Sequence, residues 1–523
     1  MSTATVDAAP RVRIRLSPLP GTSGQKRSRV VQRGRRGSLI YRNAKGELRT
    51  KRARTHEEKE AASAFALLRA LAADPAFWSV AMTLPGNQCR SGRRGRPTHN
   101  PSWVFLLLSG LTALTGSQRS AITFLADPVM WDYLREYTNA YRPREFDGLG
   151  LNPPQRHHLS TFLRKWEDQA WEVVRGSAHT QFRSDAGQRA RERGLFNADQ
   201  PLRYNTIDPG QHIVFDGTVF SGPANQQTTR ADGEGPQLKG GTDRVWGSKV
   251  VFATTRSDDY QTRLVLDFEQ VTGTTATGVG DEAAATITST LRLKEELPGL
   301  RGVIVDSILR GKHLTHLAGH GVIVTNYPHA LSNPKARKGG RFAKGRIDKR
   351  TQLRTLTHKR PNKRTCSHTL VTVGGVLYQP VLNDEGNEVL QECPVTGYTQ
   401  RRNPSGEHRY YLRVKVPCKH GDLTTDLPLH HEDNSPGAVH GINRGEHLRF
   451  YPPNTANFHA LYSRRNDSES FHQQIKRRLT RLPAYRTNRQ MLFLMGMALL
   501  NNAATRAFEQ QRNGEPNPLD GTG

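Results

Sequence analysis

Cysteine and long apolar runs are both scarce in this sequence. Its 523 residues include four cysteines, too few for a disulfide framework in a chain of this length, which favours a reducing cytoplasm. The most apolar runs, WVFLLLSGLTAL and MLFLMGMALL, are much shorter than the roughly 20 residues that a membrane-spanning helix needs. The start of the chain lacks the apolar segment of a signal peptide. We therefore expect a soluble cytoplasmic protein with no membrane partner.

Acidic residues are also in short supply. The chain has 47 Asp and Glu against 76 Lys and Arg, which gives a formal net charge of +29. Such an excess repels itself in a compact fold, and a polyanionic partner, most simply nucleic acid, explains it. A solvated basic surface without a specific partner is the alternative. The length exceeds that of one ordinary domain and predicts two or three folded units.

The first two hundred residues divide into two predicted regions. Residues 1–54 contain 15 basic residues and two acids and are predicted to be a disordered arm that lies on DNA phosphates. Apolar residues at helical spacing predict an all-α DNA-binding domain at 55–204. Within that domain, two helices around a Thr-Gly-Ser turn fit either a helix-turn-helix motif or an ordinary hairpin in the core.

Strand patterns begin after residue 205. Short runs rich in β-branched and aromatic residues predict strands, and helical patterns separate the later ones, which is typical of a mixed α/β sheet. The predicted divisions are the first part of an α/β core at 205–330, a basic loop and β-rich insertion at 331–450, the closing helices of the core at 451–512, and a disordered tail at 513–523.

Three carboxylates occupy positions that suit a metal site. Asp216 and Asp306 each end a predicted strand, HIVFD and GVIVD, where the carboxyl edge of an open sheet faces a ligand-binding crevice. Glu469 lies on a helix predicted over 461–479. Taken singly, each has an ordinary interpretation, a turn after a strand or an exposed helix position. Together they would attract hard cations such as Mg²⁺, and a pair of such ions supports phosphodiester chemistry.

The same predicted helix carries an unusual polar pattern. Two, three and six residues separate the successive members of the series Tyr462, Arg465, Glu469 and Lys476. This spacing resembles the signature of bacterial insertion-sequence DDE transposases. The segments VFDGTVFSG and VIVDSILRGKHL resemble the two aspartate motifs of that family. GRPTHNPSWVFLLLSGLTALTGSQRSAITFLADP resembles the helical domain before its catalytic core, so that the resemblance covers residues 95–505.

The resemblance implies an RNase H-like core that cuts and joins DNA at insertion-sequence ends by metal-dependent phosphoryl transfer. The implied catalytic and metal-ligating residues are Asp216, Asp306 and Glu469. The implied DNA-binding residues are Tyr462, Arg465 and Lys476. The implied cofactor is a pair of Mg²⁺ ions, with Mn²⁺ as a substitute. The implied partners are double-stranded DNA, as terminal inverted repeats and as target, and a second copy of the chain in a synaptic complex at the nucleoid.

Two other functions fit the same residues. A relic or domesticated transposase would keep the fold and bind DNA without cutting it, and an RNase H-like nuclease would cut without joining. The mechanism of cutting is open as well, because hairpin-forming relatives use a tryptophan in the insertion and no tryptophan follows Trp246 here. Tyr327, Tyr378 or Tyr411 would have to substitute for it.

The predicted insertion also contains residue types that bind zinc. They are Cys366, His368, Cys393, Cys418 and His420. Clusters of cysteine and histidine hold structural Zn²⁺, but one residue between Cys and His is a tighter spacing than usual, and no Cys-x-x-Cys pair occurs. Ordinary packing of buried thiols and surface imidazoles is the alternative.

Overall fold

Helices and strands form a mixed α/β structure, which confirms the predicted fold class at this level. The computed structural model describes residues 29–33, 38–42, 48–52, 56–88, 100–221, 235–239, 243–257, 259–271, 281–328, 350–359, 365–430, 444–479, 481–483 and 487–514. The first 28 residues and the last nine, which include most of the predicted tail, lie outside this set.

Part of the predicted basic arm is a three-stranded antiparallel sheet. Its strands are β1 (Arg29–Arg33), β2 (Ser38–Arg42) and β3 (Leu48–Arg52). The middle strand, β2, pairs with both neighbours. The prediction of disorder across residues 1–54 is therefore wrong for this stretch. Its many basic residues concealed short runs with Val, Ile, Tyr and Leu between glycine-containing connections, a pattern that is sufficient for strand pairing.

Helices dominate the next part of the chain. They are α1 (His56–Ala72), α2 (Pro75–Met82), α3 (Trp103–Thr115), α4 (Gln118–Leu125), α5 (Pro128–Tyr141), α6 (Arg156–Glu167) and α7 (Glu172–Glu192). The start of α2 illustrates the local cause. The Asp74 side chain accepts a hydrogen bond from the Ala76 amide at 3.2 Å, and Pro75 occupies a first-turn position where its missing N–H is not needed.

Helix α3 is a core helix. All residues from Trp103 to Leu114 are buried, and Gly116, with φ +80°, ends the helix in the left-handed conformation. The helix crosses a C-terminal helix at two glycines, where a Cβ on Gly496 would lie only 2.6 Å from the amide nitrogen of Gly110. This burial favours the core-hairpin interpretation of the predicted helix pair.

A mixed sheet follows the helices. Its elements are β4 (His212–Ser221), β5 (Gly235–Lys239), β6 (Asp243–Thr255), β7 (Leu264–Val271), α8 (Glu282–Glu296), β8 (Gly302–Ile304), α9 (Gly311–Gly319) and β9 (Ile323–Thr325). The strand order is β5-β6-β4-β8-β9, and β7 also pairs with β6. Strands β4 to β7 pair antiparallel, whereas β4, β8 and β9 run parallel. The helices α8 and α9 provide the crossovers that parallel strands require.

Two further antiparallel sheets lie between β9 and the last helices. The first contains β10 (Thr351–Lys359), β11 (Thr365–Val373), β12 (Val376–Leu382) and β13 (Glu388–Glu392). The second contains β14 (Val395–Arg402), β15 (His408–Val416) and β16 (Leu423–Pro428). Both sheets lie within the basic loop and β-rich insertion predicted at 331–450. Residues 331–349 and 360–364 of that range lie outside the described residues.

The C-terminal part is helical. Its helices are α10 (Ala456–Tyr462), α11 (Arg465–Arg478) and α12 (Thr487–Arg512). The single helix predicted over 461–479 is therefore two helices. Between them, the Arg464 amide donates to the Leu461 carbonyl at 3.1 Å and the Asn466 amide to that of Ser463 at 3.2 Å, a tighter i→i+3 turn at weak helix formers.

The helical region and the mixed sheet share one hydrophobic core. It joins Trp103 and Phe162 of the N-terminal helices to Phe252 and Phe268 of the sheet and to Phe493 of α12, all of which are buried. Because α12 packs against α1 and α3 as well as β7, the described residues from α1 to α7 form a layer over the sheet and share its core.

The helices are also informative about membranes. Among the described residues, no single helix combines the length and apolar character needed to cross a bilayer. The bent pair Ala64–Ala72 and Pro75–Met82 meets these criteria only when both pieces are counted together, with an angle of 62° between them.

Candidate active site

Two parallel strands place Asp216 and Asp306 at neighbouring positions. In the parallel pairing of β4 with β8, Val214 lies opposite Ile304. Asp216 and Asp306 each lie two residues beyond that pair. Asp306 follows the end of β8 as predicted, but Asp216 lies within β4, opposite Phe252 of β6. The prediction that Asp216 ends its strand is therefore wrong. The reason is that β4 keeps an antiparallel partner on its other edge after β8 has ended.

Arg465 contacts all three predicted carboxylates. Its Nη2 lies 3.4 Å from Oδ2 of Asp306 and 3.9 Å from Oδ1 of Asp216, and its Nη1 lies 3.2 Å from Oε1 of Glu469. The side chain of Asp216 is 14% exposed, whereas those of Asp306 and Glu469 are 58% and 53% exposed. Burial lowers the pKa of Arg465, but the surrounding anions outweigh it and the pKa is raised overall. Three acids from distant parts of the chain thus converge on one cation.

His472 is a site residue that the predicted set omits. Its Nδ1 lies 3.3 Å from Oδ2 of Asp216, and its buried ring packs near Phe252 at a centroid distance of 5.8 Å. On a helix, positions i, i+4 and i+7 share one face, and Arg465, Glu469 and His472 have this spacing. That periodicity was the signal that could have identified His472.

Polar contacts dock α11 onto the sheet and thereby fix the site. The Ser468 hydroxyl lies 3.2 Å from that of Thr254 on β6. Asp467 forms an ion pair with Arg256, just beyond the end of the same strand. Phe471, on the buried side of the helix, belongs to the shared core. The apolar side of α11 therefore packs inwards, and its polar side faces the carboxylates.

An ion pair that sequence reasoning missed lies beside Asp216. Lys249 of β6 and Glu282, the first residue of α8, form a partly buried salt bridge. A Cβ on Gly217 would lie 2.8 Å from Cδ of Glu282 and 2.9 Å from Cε of Lys249, so the glycine is needed here for close approach and not for a turn. Burial raises the pKa of Glu282, Lys249 lowers it, and Asp216 and Asp306 raise it again. An acid at the start of a helix is commonly explained by the helix dipole, so its position alone gives no functional signal.

Tyr462 borders the cluster at the end of α10. Its ring stacks on Phe458 at 5.3 Å and meets Tyr327 edge-on at 4.9 Å. Burial raises the pKa of Tyr462, Asp306 raises it further, and Arg465 opposes the shift. The hydroxyl therefore stays protonated at neutral pH and can act as a hydrogen-bond donor. Tyr327, one of the tyrosines considered for the role of the missing tryptophan, lies next to the site.

The donor set of the three acids suits a hard cation. Carboxylate oxygens are the ligands that Mg²⁺ prefers, and exposed ones can exchange partners. Among the described residues, however, the compact groups of metal-ligating side chains are two others, His358 with Cys366, His368 and Cys418, and His179 with Asp267 and Glu269. Arg465 lies between the three acids and offsets part of their negative charge. Lys476 lies two turns beyond Glu469 on α11.

The group around His179 belongs to the core. Nε2 of His179 lies 2.8 Å from Oδ1 of Asp267, which is fully buried, and the Ser289 hydroxyl donates to Oδ2 of Asp267 at 2.6 Å. Glu269 forms an ion pair with Arg292. These contacts join β7 to α7 and α8, and they account for the cluster as a structural network.

Only three of the five predicted zinc ligands lie close together. Cys366, His368 and Cys418 lie together, whereas Cys393 and His420 are not in the group. Burial raises the pKa of the Cys393 thiol to about 12, which keeps it protonated. The fourth member, His358, was missed, although it pairs directly with Cys366 across the β10–β11 hairpin.

Comparison with known proteins identifies no family for this chain. A scan against protein-family models gave no match, and a search of curated proteins found none either. The function must therefore be argued from the arrangement of residues described above.

Proposed function

We propose that this protein is a DDE-type DNA transposase that cuts and joins DNA strands at insertion-sequence ends by phosphoryl transfer. The observation that carries the proposal is the convergence of Asp216, Asp306 and Glu469 on the guanidinium of Arg465. Sequence motifs alone point to the three acids, of which Asp216 lies on β4, Asp306 follows β8 and Glu469 lies on the distant helix α11.

The topology of the sheet supports an RNase H-like core. Three antiparallel strands, β4, β6 and β7, precede two strands, β8 and β9, that extend the sheet in parallel. The first acid lies on β4, the second follows the adjacent β8, and the third lies on α11 across the sheet. The acids thus lie at an edge where ligands bind in open α/β sheets.

The residues have distinct roles in the proposed reaction. Water, and then a 3′-hydroxyl, attacks the phosphorus in line with the departing oxygen. Asp216, Asp306 and Glu469 would hold Mg²⁺ ions, which when bound supply activation of the attacking oxygen and stabilisation of the leaving one. Arg465 offsets part of the negative charge of the acids until DNA enters and is suited to a bidentate contact with a phosphate. His472 holds the orientation of Asp216 from the buried side.

The net charge of +29 supports double-stranded DNA as the partner, because phosphate neutralisation dominates affinity for nucleic acid. Tyr462 and Lys476 would extend the contact from the carboxylates along the DNA end. Joining two transposon ends calls for a second copy of the chain, and the location of such a protein would be the nucleoid.

A strand-transfer assay tests the proposal. Inverted repeats that bracket the gene would supply the labelled donor duplex, and a supercoiled plasmid would supply the target. We expect Mg²⁺-dependent cleavage of the donor and a labelled product joined to the plasmid. Cleavage without joining would favour the nuclease alternative, and tight binding without either product would favour the non-catalytic relic.

A further inference from the structure

We propose that His358, Cys366, His368 and Cys418 form a structural Zn²⁺ site that fastens the two insertion sheets together. One ligand atom from each residue lies within 4.8 Å of all the others. The Sγ atoms of Cys366 and Cys418 are 3.7 Å apart. Tetrahedral zinc with Zn–S bonds of about 2.3 Å separates two sulfur ligands by about 3.8 Å. The sulfur atoms therefore already lie at the spacing that the ion requires. The inference does not depend on the proposed function.

The hairpin of β10 and β11 explains why the tight Cys-x-His spacing works. Residues two apart on a strand project to the same face, so Cys366 and His368 share one side of β11. His358 lies directly opposite Cys366 in the hairpin register, which places its side chain on that side too. The spacing that is unusual for a loop-borne site is the natural one for a strand.

Cys418 approaches from the other sheet. It lies in the turn after β15, where the Gly421 amide donates to the Cys418 carbonyl at 3.0 Å. The Cys418 amide in turn donates to Oδ1 of Asp422 at 3.3 Å. The turn is thus held by its own hydrogen bonds while the thiol points at Cys366. A shared ion would connect the β10–β13 sheet to the β14–β16 sheet.

The hydrogen bonds of Gln379 define the state of His368. Nε2 of Gln379 donates to the Pro417 carbonyl at 2.6 Å and to Oε1 of Gln391 at 2.9 Å. Its Oε1 is therefore the atom that faces Nδ1 of His368, at 3.0 Å, and Nδ1 must carry the proton. Nε2 of His368 is left with a lone pair, which is the form that ligates metals, and a hydrogen bond from the other nitrogen is typical of zinc-bound histidine.

Buried nitrogens supply a second, independent indication. Nε2 of His368 and Nδ1 of His358 are both inaccessible to solvent, and neither has a hydrogen-bond partner among the described residues. A buried polar atom without a partner is costly, and such atoms call for an explanation such as an ion. Two imidazole nitrogens and two thiols, which bind as thiolates after losing their protons, make a Cys₂His₂ set, a common set for structural zinc.

Metal analysis of the full chain tests the site. We expect about one Zn²⁺ per chain in protein purified without chelators, and less than about a tenth of that in Cys418→Ser and in His368→Asn. The matched control is His420→Asn, which removes an exposed imidazole two residues from Cys418 and should keep its zinc.

Cobalt provides a readout that does not depend on folding of the variants. The wild-type chain, stripped of metal and titrated with Co²⁺, should develop the visible bands of tetrahedral thiolate-bound cobalt with one equivalent. No zinc in the purified wild-type chain together with no such bands would overturn the proposal. Full zinc content in Cys418→Ser would also overturn it, as would a Cys366–Cys418 disulfide found by thiol titration. None of these measurements involves DNA, so failure of the proposed transposase activity would leave this result standing.

Discussion

The two clusters of metal-ligating side chains differ in what balances them. The carboxyl groups of Asp216, Asp306 and Glu469 all contact a cation of the chain itself, Arg465. Among the described residues, no such cation contacts the thiols and imidazoles around His368, and two of their nitrogens are buried without a hydrogen-bond partner there. An acidic site that one guanidinium neutralises only in part, and in which two of the three acids are more than half exposed, can exchange ions and DNA phosphates. A soft and largely buried set of sulfur and nitrogen ligands suits a permanently bound ion such as the proposed Zn²⁺.

Removing the negative charge of one of the three acids should have the largest effect on cleavage. Glu469→Gln is nearly isosteric, so α11 should keep its packing and DNA affinity should stay equal or rise slightly. Cleavage should fall by about three powers of ten or more, because one oxygen of the metal-binding set is lost. Adding Asp216→Asn should cost little more, since residues that act as a unit are not additive.

The measurement compares cleavage and binding on the same preparation of each variant. Glu385→Gln, an exposed charge change in the insertion, is the control and should cleave at the wild-type rate. Wild-type cleavage by Glu469→Gln would remove Glu469 from the catalytic set and with it the main support for the transposase proposal.

The same comparison shows which residues of the two sites could be predicted from the sequence. Asp306 and Glu469 could be found from strand and helix motifs, because charged residues at such positions are conspicuous. The pairing of strands cannot be predicted from this sequence. The prediction therefore places Asp216 at a strand end, although the antiparallel partner β6 continues past it. His358 was missed for the same reason, since cross-strand partners have no fixed spacing in sequence. Glu282 was missed because its position near Asp216 and Asp306 arises only when the start of α8 packs against Gly217.

His212 shows that a buried imidazole nitrogen without a hydrogen-bond partner is not by itself a sign of a metal site. Like His368, it has one nitrogen bonded to an oxygen, here Nδ1 to the Asp208 carbonyl at 3.0 Å, and a buried Nε2 without a partner among the described residues. Its space is filled, however, because a Cβ on Gly302 would lie 2.6 Å from that Nε2. No group of metal-ligating side chains in the described residues includes it.

A histidine buried without an ion should weaken the fold in acid. Burial lowers the pKa of His212 to about 4, below the value of about 6.5 for an unfolded chain. Between these values the unfolded state binds more protons, so stability is lost as the pH falls. The loss from this residue should reach about 3 kcal/mol at about pH 4.

Urea unfolding at about pH 7 and about pH 4 measures that loss. His212→Gln should reduce the pH dependence of the free energy of unfolding by about this amount, whereas His459→Gln, at an exposed position on α10, should not. Equal pH dependence in wild type and His212→Gln would show that the buried imidazole is not what titrates.

Gly217→Ala probes how closely the acids are positioned. The added methyl group overlaps the ends of the Lys249 and Glu282 side chains, which can turn away with little loss of stability but at the expense of their ion pair. We expect cleavage to fall between about tenfold and a hundredfold, the scale of a small misplacement at an active site, with DNA affinity unchanged. Gly176→Ala, where a Cβ meets no atom within 4 Å, is the control. A wild-type cleavage rate in Gly217→Ala would exclude the ion pair from the positioning of Asp216.

Lys476→Ala should have the smallest effect and should separate binding from chemistry. Lys476 lies two turns from Glu469 on α11 and is proposed to contact one DNA phosphate. Its removal should lower the slope of log affinity against log salt by about 1 and weaken binding a few-fold, with little change in cleavage at saturating DNA. Lys312→Ala, on the exposed side of α9, should leave the slope as it is. Titrations of the same duplex across a series of salt concentrations measure both variants. An unchanged slope in Lys476→Ala would exclude Lys476 from the DNA contact, whereas a collapse of cleavage at saturating DNA would make Lys476 a catalytic residue beside the three acids.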